Sequence, residues 1–77
     1  MKINYENNQN VIDGLKEYIV DNHIKQKDIC DKTSYSKQYV SNIINGRSGN
    51  LTLETLNTIV KAMGCDLVIE FKKKNNE

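Results

Sequence analysis

Apolar and polar positions alternate with a helical period in four stretches of the chain and with a strand period in a fifth. Val11, Ile12, Leu15, Ile19 and Val20 follow the 3.6-residue repeat, which predicts a first helix capped by Asn10 and running to about Asn22. Asp13 in its first turn suits the positive end of the helix dipole. A second, shorter helix is predicted from Lys25 or Gln26 to Thr33, burying Ile29 and Cys30, with Ile24 packed ahead of it like a staple. Ser34 and Tyr35 break the pattern. Ser36 then caps a third helix, Lys37 to Asn45, in which Val40, Ile43 and Ile44 must face inward because they stand at i, i+3 and i+4. Gly46 ends that helix as a left-handed residue, and Arg47, Ser48, Gly49 and Asn50 form a loop. Thr52 caps a fourth helix to about Met63, which buries Leu53, Leu56, Ile59, Val60 and Met63 and stops at Gly64.

The last stretch changes period. Cys65, Leu67, Ile69 and Phe71 alternate with Asp66, Val68 and Glu70, the pattern of a half-buried strand, about 23 Å long at ~3.3 Å per residue. A lone strand leaves its backbone groups unpaired, so its partner must be Lys2 to Glu6, the same strand of a second subunit, or another protein. Lys72 to Glu77 reads as a frayed polar tail. The expectation is a mainly α fold, a four- to five-helix bundle plus a C-terminal β-strand. It forms one domain over residues 1–77, with its core in residues 11–64.

Composition narrows the function classes. At 77 residues and 38% hydrophobic the chain can close one thin core, worth about 3 to 5 kcal/mol in domains of this size, and a second subunit is a natural reinforcement. Cys30 and Cys65 have no CxxC spacing and only His23 for company, so neither a metal site nor a disulfide is expected; both read as small apolar residues in a reducing cytoplasm. No run reaches the ~18 apolar residues of a membrane span, and Met1 to Asn10 is too polar for a secretory leader. There is no paired general acid and base, no activated nucleophile and no phosphate-cradling glycine loop. An enzyme and a bound cofactor are therefore not expected.

The net charge of +1 hides a sorting along the chain. Residues 1–31 carry Lys2, Lys16, Lys25 and Lys27 against Glu6, Asp13, Glu17, Asp21, Asp28 and Asp31. Residues 32–61 carry Lys32, Lys37, Arg47 and Lys61 against Glu54 alone, and from Lys32 to Leu53 there is no acidic side chain. That basic window contains the third helix. The short break before it gives the spacing of a helix-turn-helix, whose second helix enters the major groove. At about 1.5 Å per residue it is a rod of roughly 13 Å, suited to a groove ~12 Å wide. Its outward residues Lys37, Gln38, Ser41 and Asn42 are of the types that read base edges: Gln and Asn bond adenine bidentately, and Lys donates to guanine or phosphate.

On these residues the chain resembles the phage repressor and Cro-like (XRE-type) helix-turn-helix domains. The pattern falls without gaps on Ile24 to Arg47, through Gln26, Ile29, Cys30 in the small-residue slot, Ser36, Val40, Ser41, Ile43, Asn45, Gly46 and Arg47. The resemblance implies base contacts from Lys37, Gln38, Ser41 and Asn42, and phosphate contacts from Gln26, Tyr39, Asn45, Arg47 and Ser48. Three positions depart from it: Ser34 replaces the usual turn glycine, Thr33 the apolar residue before it, and Ile44 the acid of the closing Glu-Asn-Gly. The ending, Thr52-Leu-Glu-Thr-Leu, Lys61-Ala-Met-Gly and an apolar strand followed by lysines, is similar to HipB- and HigA-like antitoxin-type regulators. That likeness implies a homodimer joined through Leu67, Val68, Ile69 and Phe71.

The function so implied is a sequence-specific DNA-binding regulator that represses by occupying a palindromic operator. The alternatives are an antitoxin that also binds a toxin protein, and an interaction module that kept the fold without DNA. The second should show acids or large apolar groups on the third helix, where this chain has Lys, Gln, Ser and Asn.

Overall fold

The computed structural model describes residues 1–47, 49 and 51–74. Four helices follow one another: α1 (Asn8–Asp21), α2 (Gln26–Asp31), α3 (Lys37–Ile44) and α4 (Leu53–Ala62). Side-chain caps start three of them. Asn7 accepts from the Asn10 N–H, Ser36 from the Tyr39 N–H and Thr52 from the Thr55 N–H, each satisfying an amide that the helix itself leaves unbonded. Helix α1 thus begins earlier than its apolar residues announce. Asn10, expected as its cap, lies inside the first turn and its side chain accepts from the Glu6 N–H.

Three helices end in the same backbone motif, with a left-handed residue just past the cap. Gly46 at φ 72° and Gly64 at φ 84° supply it after α3 and α4, as their place in the sequence predicts. After α1 the residue is His23, at φ 54°. There the Ile24 N–H donates to the Ile19 carbonyl and the His23 N–H to that of Val20, the two crossed bonds of a Schellman ending. Ile24 is therefore placed by the end of α1 rather than by the start of α2.

Helix α2 stops two residues before the expected Thr33. The Thr33 hydroxyl donates to the Ile29 carbonyl at 2.9 Å and accepts the Tyr35 N–H at 3.2 Å. One side chain closes the turn, and Ser34 needs no left-handed backbone in place of the glycine.

The core is centred on this unit. Ile29 from α2, Val40 and Ile43 from α3, and Ile59 from α4 are wholly buried, with Leu15 and Ile19 of α1, Ile44, Leu56 and Ala62 around them. Helix α3 packs on both α1 and α2, and α4 packs on α2. Ile44, in the slot where the family carries an acid, is part of this core. Two expected core residues are not: Val20 is 67% exposed and Leu53 62%.

The expected C-terminal strand does not form within the single chain. Residues 65–74 have no regular secondary structure, and among the described residues no ladder joins them to Lys2–Glu6 or to any other segment. The Cys65 N–H is taken by the Val60 carbonyl as part of the α4 ending, and no backbone–backbone bond follows it. Among the described residues the segment has no strand to pair with. Of the four residues assigned to a dimer interface, Leu67 packs half-buried on the chain's own core, while Val68, Ile69 and Phe71 are exposed. No helix of the described residues is long and apolar enough to cross a membrane.

Candidate nucleic-acid interface

The outer face of α3 follows from its inner one. At about 100° per residue, the buried stripe of Val40, Ile43 and Ile44 leaves Gln38, Asn42 and Asn45 diametrically opposite, with Lys37, Ser41 and Tyr39 on the flanks. Lys37, Gln38 and Tyr39 are exposed; Ser41, Asn42 and Asn45 are half-buried. No other helix covers this face, because α1 and α2 both pack against the opposite side.

Two hydrogen-bonded groups organise the face. The Gln38 amide donates through Nε2 to Asn42 Oδ1 at 2.9 Å. Towards the C-terminal end, Asn45 Nδ2 donates to the Ser41 carbonyl at 2.8 Å and to its hydroxyl at 3.3 Å, and Arg47 Nη2 reaches the same hydroxyl at 3.5 Å. Ser41 thus faces Asn45 and Arg47 instead of projecting alone. The Arg47 backbone is fixed as well, since its N–H donates to the Asn42 carbonyl at 2.7 Å in the ending at Gly46. Among the described residues the face holds five cationic or amide donors, Lys37, Gln38, Asn42, Asn45 and Arg47, and no carboxylate from 32 to 53 opposes them.

At the other end, Tyr35 and Tyr39 stack with ring centroids 4.7 Å apart at 58°. Tyr35 is half-buried against the core, a packing role, and holds Tyr39 at the rim of α3. Gln26, half-buried, stands at the first position of α2. The structure brings Lys37, Gln38, Tyr39, Ser41, Asn42, Asn45 and Arg47 onto one helix and its cap. Ser48, also expected at this surface, lies outside the described residues.

Sequence reasoning missed three supports of the fold around this face. A Cβ on Gly46 would sit 3.1 Å from Gln9 Oε1, so α1 closes over the end of α3. Ile3 occupies the notch left by Gly14, where a Cβ would collide with its Cδ1. The Cys65 thiol donates to the Tyr18 hydroxyl at 3.3 Å, tying the end of α4 to α1. Only the glycine in the middle of a helix was a visible signal, since a residue costing about 1 kcal/mol there usually has a packing reason.

Comparison with curated proteins and with solved structures gives no match. A family model described as helix-turn-helix matches residues 15–69, a span that takes in α2, the turn, α3 and α4. The chain belongs to the XRE-type helix-turn-helix family, whose domains are DNA-binding transcriptional regulators.

Proposed function

We propose that the chain is a sequence-specific repressor, working in the cytoplasm as one domain, that binds a near-palindromic operator as a homodimer. Two copies of α3 enter successive major grooves, their centres about 34 Å apart. Lys37, Gln38 and Asn42 contact base edges. Arg47, held by Ser41, contacts phosphate together with Gln26, Tyr39 and Asn45. The observation that carries this reading is the amphipathicity of α3: its apolar stripe is wholly buried, and its opposite stripe is uncovered, amide-rich and free of acids.

The dimer rests on the exposed apolar residues Val68, Ile69 and Phe71 and on the unpaired backbone beyond Cys65. Paired antiparallel with a second copy about Ile69, the segment sets Asp66 opposite Lys72, so charge favours that register over one about Val68, which opposes Asp66 to Glu70. The same patch also favours the second reading, an antitoxin that binds a toxin there while holding its operator.

Selection of duplexes from a random library at two salt concentrations tests the proposal. The expected product is a palindrome with half-sites about one helical turn apart. Arg47→Ala should weaken specific and random duplexes alike and flatten the salt dependence, as loss of a phosphate contact does. Recovery of no preferred sequence at either salt would leave the repressor reading without support.

A further inference from the structure

The hydrogen bond between Gln38 and Asn42 has consequences for what each can read. We infer that these two side chains act as one coupled reader, with Gln38 set for adenine and Asn42 set as a donor to an acceptor-edged neighbour, guanine or thymine. The inference rests on the proposed binding of α3 to DNA and adds the identity of two bases.

A primary amide has two N–H donors and one carbonyl acceptor. Gln38 spends one N–H on Asn42 Oδ1. It keeps the other N–H and its own Oε1, the donor and acceptor that match adenine N7 and N6. Asn42 keeps both Nδ2 hydrogens free, while one of the two lone pairs of its oxygen is taken by Gln38. The two hydrogens suit guanine O6 and N7, or one suits thymine O4; cytosine offers only its N4 donor, for which Asn42 keeps a single lone pair of a shared oxygen, and is disfavoured. Amide pairs at i and i+4 favour each other on a helix, and the bond holds the two amide groups 2.9 Å apart, within the ~3.4 Å step between successive base pairs, so they face neighbouring base pairs. No other side chain of the described residues hydrogen-bonds to either amide, so each orients the other.

Duplex selection with the wild-type chain and two variants tests this, with circular dichroism to establish that all three fold alike. The wild type should enrich adenine about tenfold or more at one position, with guanine or thymine beside it. Asn42→Asp keeps the acceptor for Gln38 but has no donors of its own. It should retain the adenine and change its neighbour to cytosine. Asn42→Ala removes the acceptor and should lose enrichment at both positions. Adenine enrichment that survives Asn42→Ala undiminished, or cytosine beside the adenine in the wild type, overturns the coupling. Absence of any preferred duplex overturns instead the DNA-binding reading beneath it.

Discussion

Helix α4 divides two apolar regions that the sequence writes in the same alphabet. On one side Leu56, Ile59 and Ala62 close the core, where Ile29, Val40, Ile43 and Ile59 have almost no contact with solvent. On the other, Val60 and Met63 join Tyr18, Leu53 and the N- and C-terminal segments around an open trough, in which Leu53 and Phe71 are 62% and 94% exposed. The first region is finished within one chain and fixes the angle of α3. The second is unfinished, and apolar surface of that kind is a mark of a binding face. The difference separates what this chain needs to fold from the apolar surface that the proposed dimer would use.

The sharpest way to break the contrast is to remove apolar side chains from each side in turn. Ile43→Ala leaves a cavity between α3 and its neighbours and should cost about 2 to 5 kcal/mol, comparable to the whole stability of a domain this small. Its thermal transition, followed by helical ellipticity, should fall to near ambient temperature or vanish. A loss under about 1 kcal/mol in urea titration would mean that the core is not centred where burial places it.

Changing Ile69→Asp together with Phe71→Asp should do the reverse. Both side chains are exposed, so the helices should melt as before in dilute solution, while light scattering at high concentration should show loss of the proposed dimer. Leu67 is left intact because it packs on the chain's own core. A dimer that survives both substitutions would remove the C-terminal segment from the interface.

The same contrast explains how far the sequence could be read. The four helices, the caps Ser36 and Thr52, the endings at Gly46 and Gly64 and the inward stripe of α3 were legible because each depends on residues within a turn or two of one another. Placement of Lys37, Gln38 and Asn42 followed from that stripe. What failed were readings that needed a neighbour. Val20 and Leu53 obey helical periodicity, yet no described helix buries them, and the alternation of 65–71 asks for a strand partner that the described residues do not supply. Periodicity reports that a face is apolar; it is silent on what covers it. The hydrogen bonds of Ser41 with Asn45 and Arg47 depend on side-chain direction, which residue type alone does not give.

A smaller effect is expected at the end of α1. His23 holds the left-handed conformation that Gly46 and Gly64 hold elsewhere, and a side chain there costs about 1 to 2 kcal/mol. His23→Gly should recover roughly 1 kcal/mol, raising the melting temperature by about 4 to 8 °C, with no change in DNA preference because the residue stands outside the α3 face. A lower melting temperature would show that the imidazole makes a contact worth more than the strain.

The smallest effect lies on the trough side and is read by pH. The hydrogen bond with Cys65, in which the phenol donates to the charged sulfur, then the negative charge of that sulfur, then burial, hold the Tyr18 phenol above its ordinary value of 10.0. Folding therefore favours the protonated phenol. The stability it contributes is complete below the unfolded value and is lost as pH rises through the folded one, because the unfolded chain releases its proton first. Lys27, raised by its hydrogen bond and ion pair with Asp31, contributes with the same sign and is unaffected by a change at Tyr18. Tyr18→Phe should accordingly flatten, without abolishing, the fall in urea midpoint above pH 10, while near pH 7 it loses only the bond to Cys65. An alkaline limb identical in the two proteins would mean that the phenol titrates alike folded and unfolded, and that the link from α4 to α1 does not persist in solution.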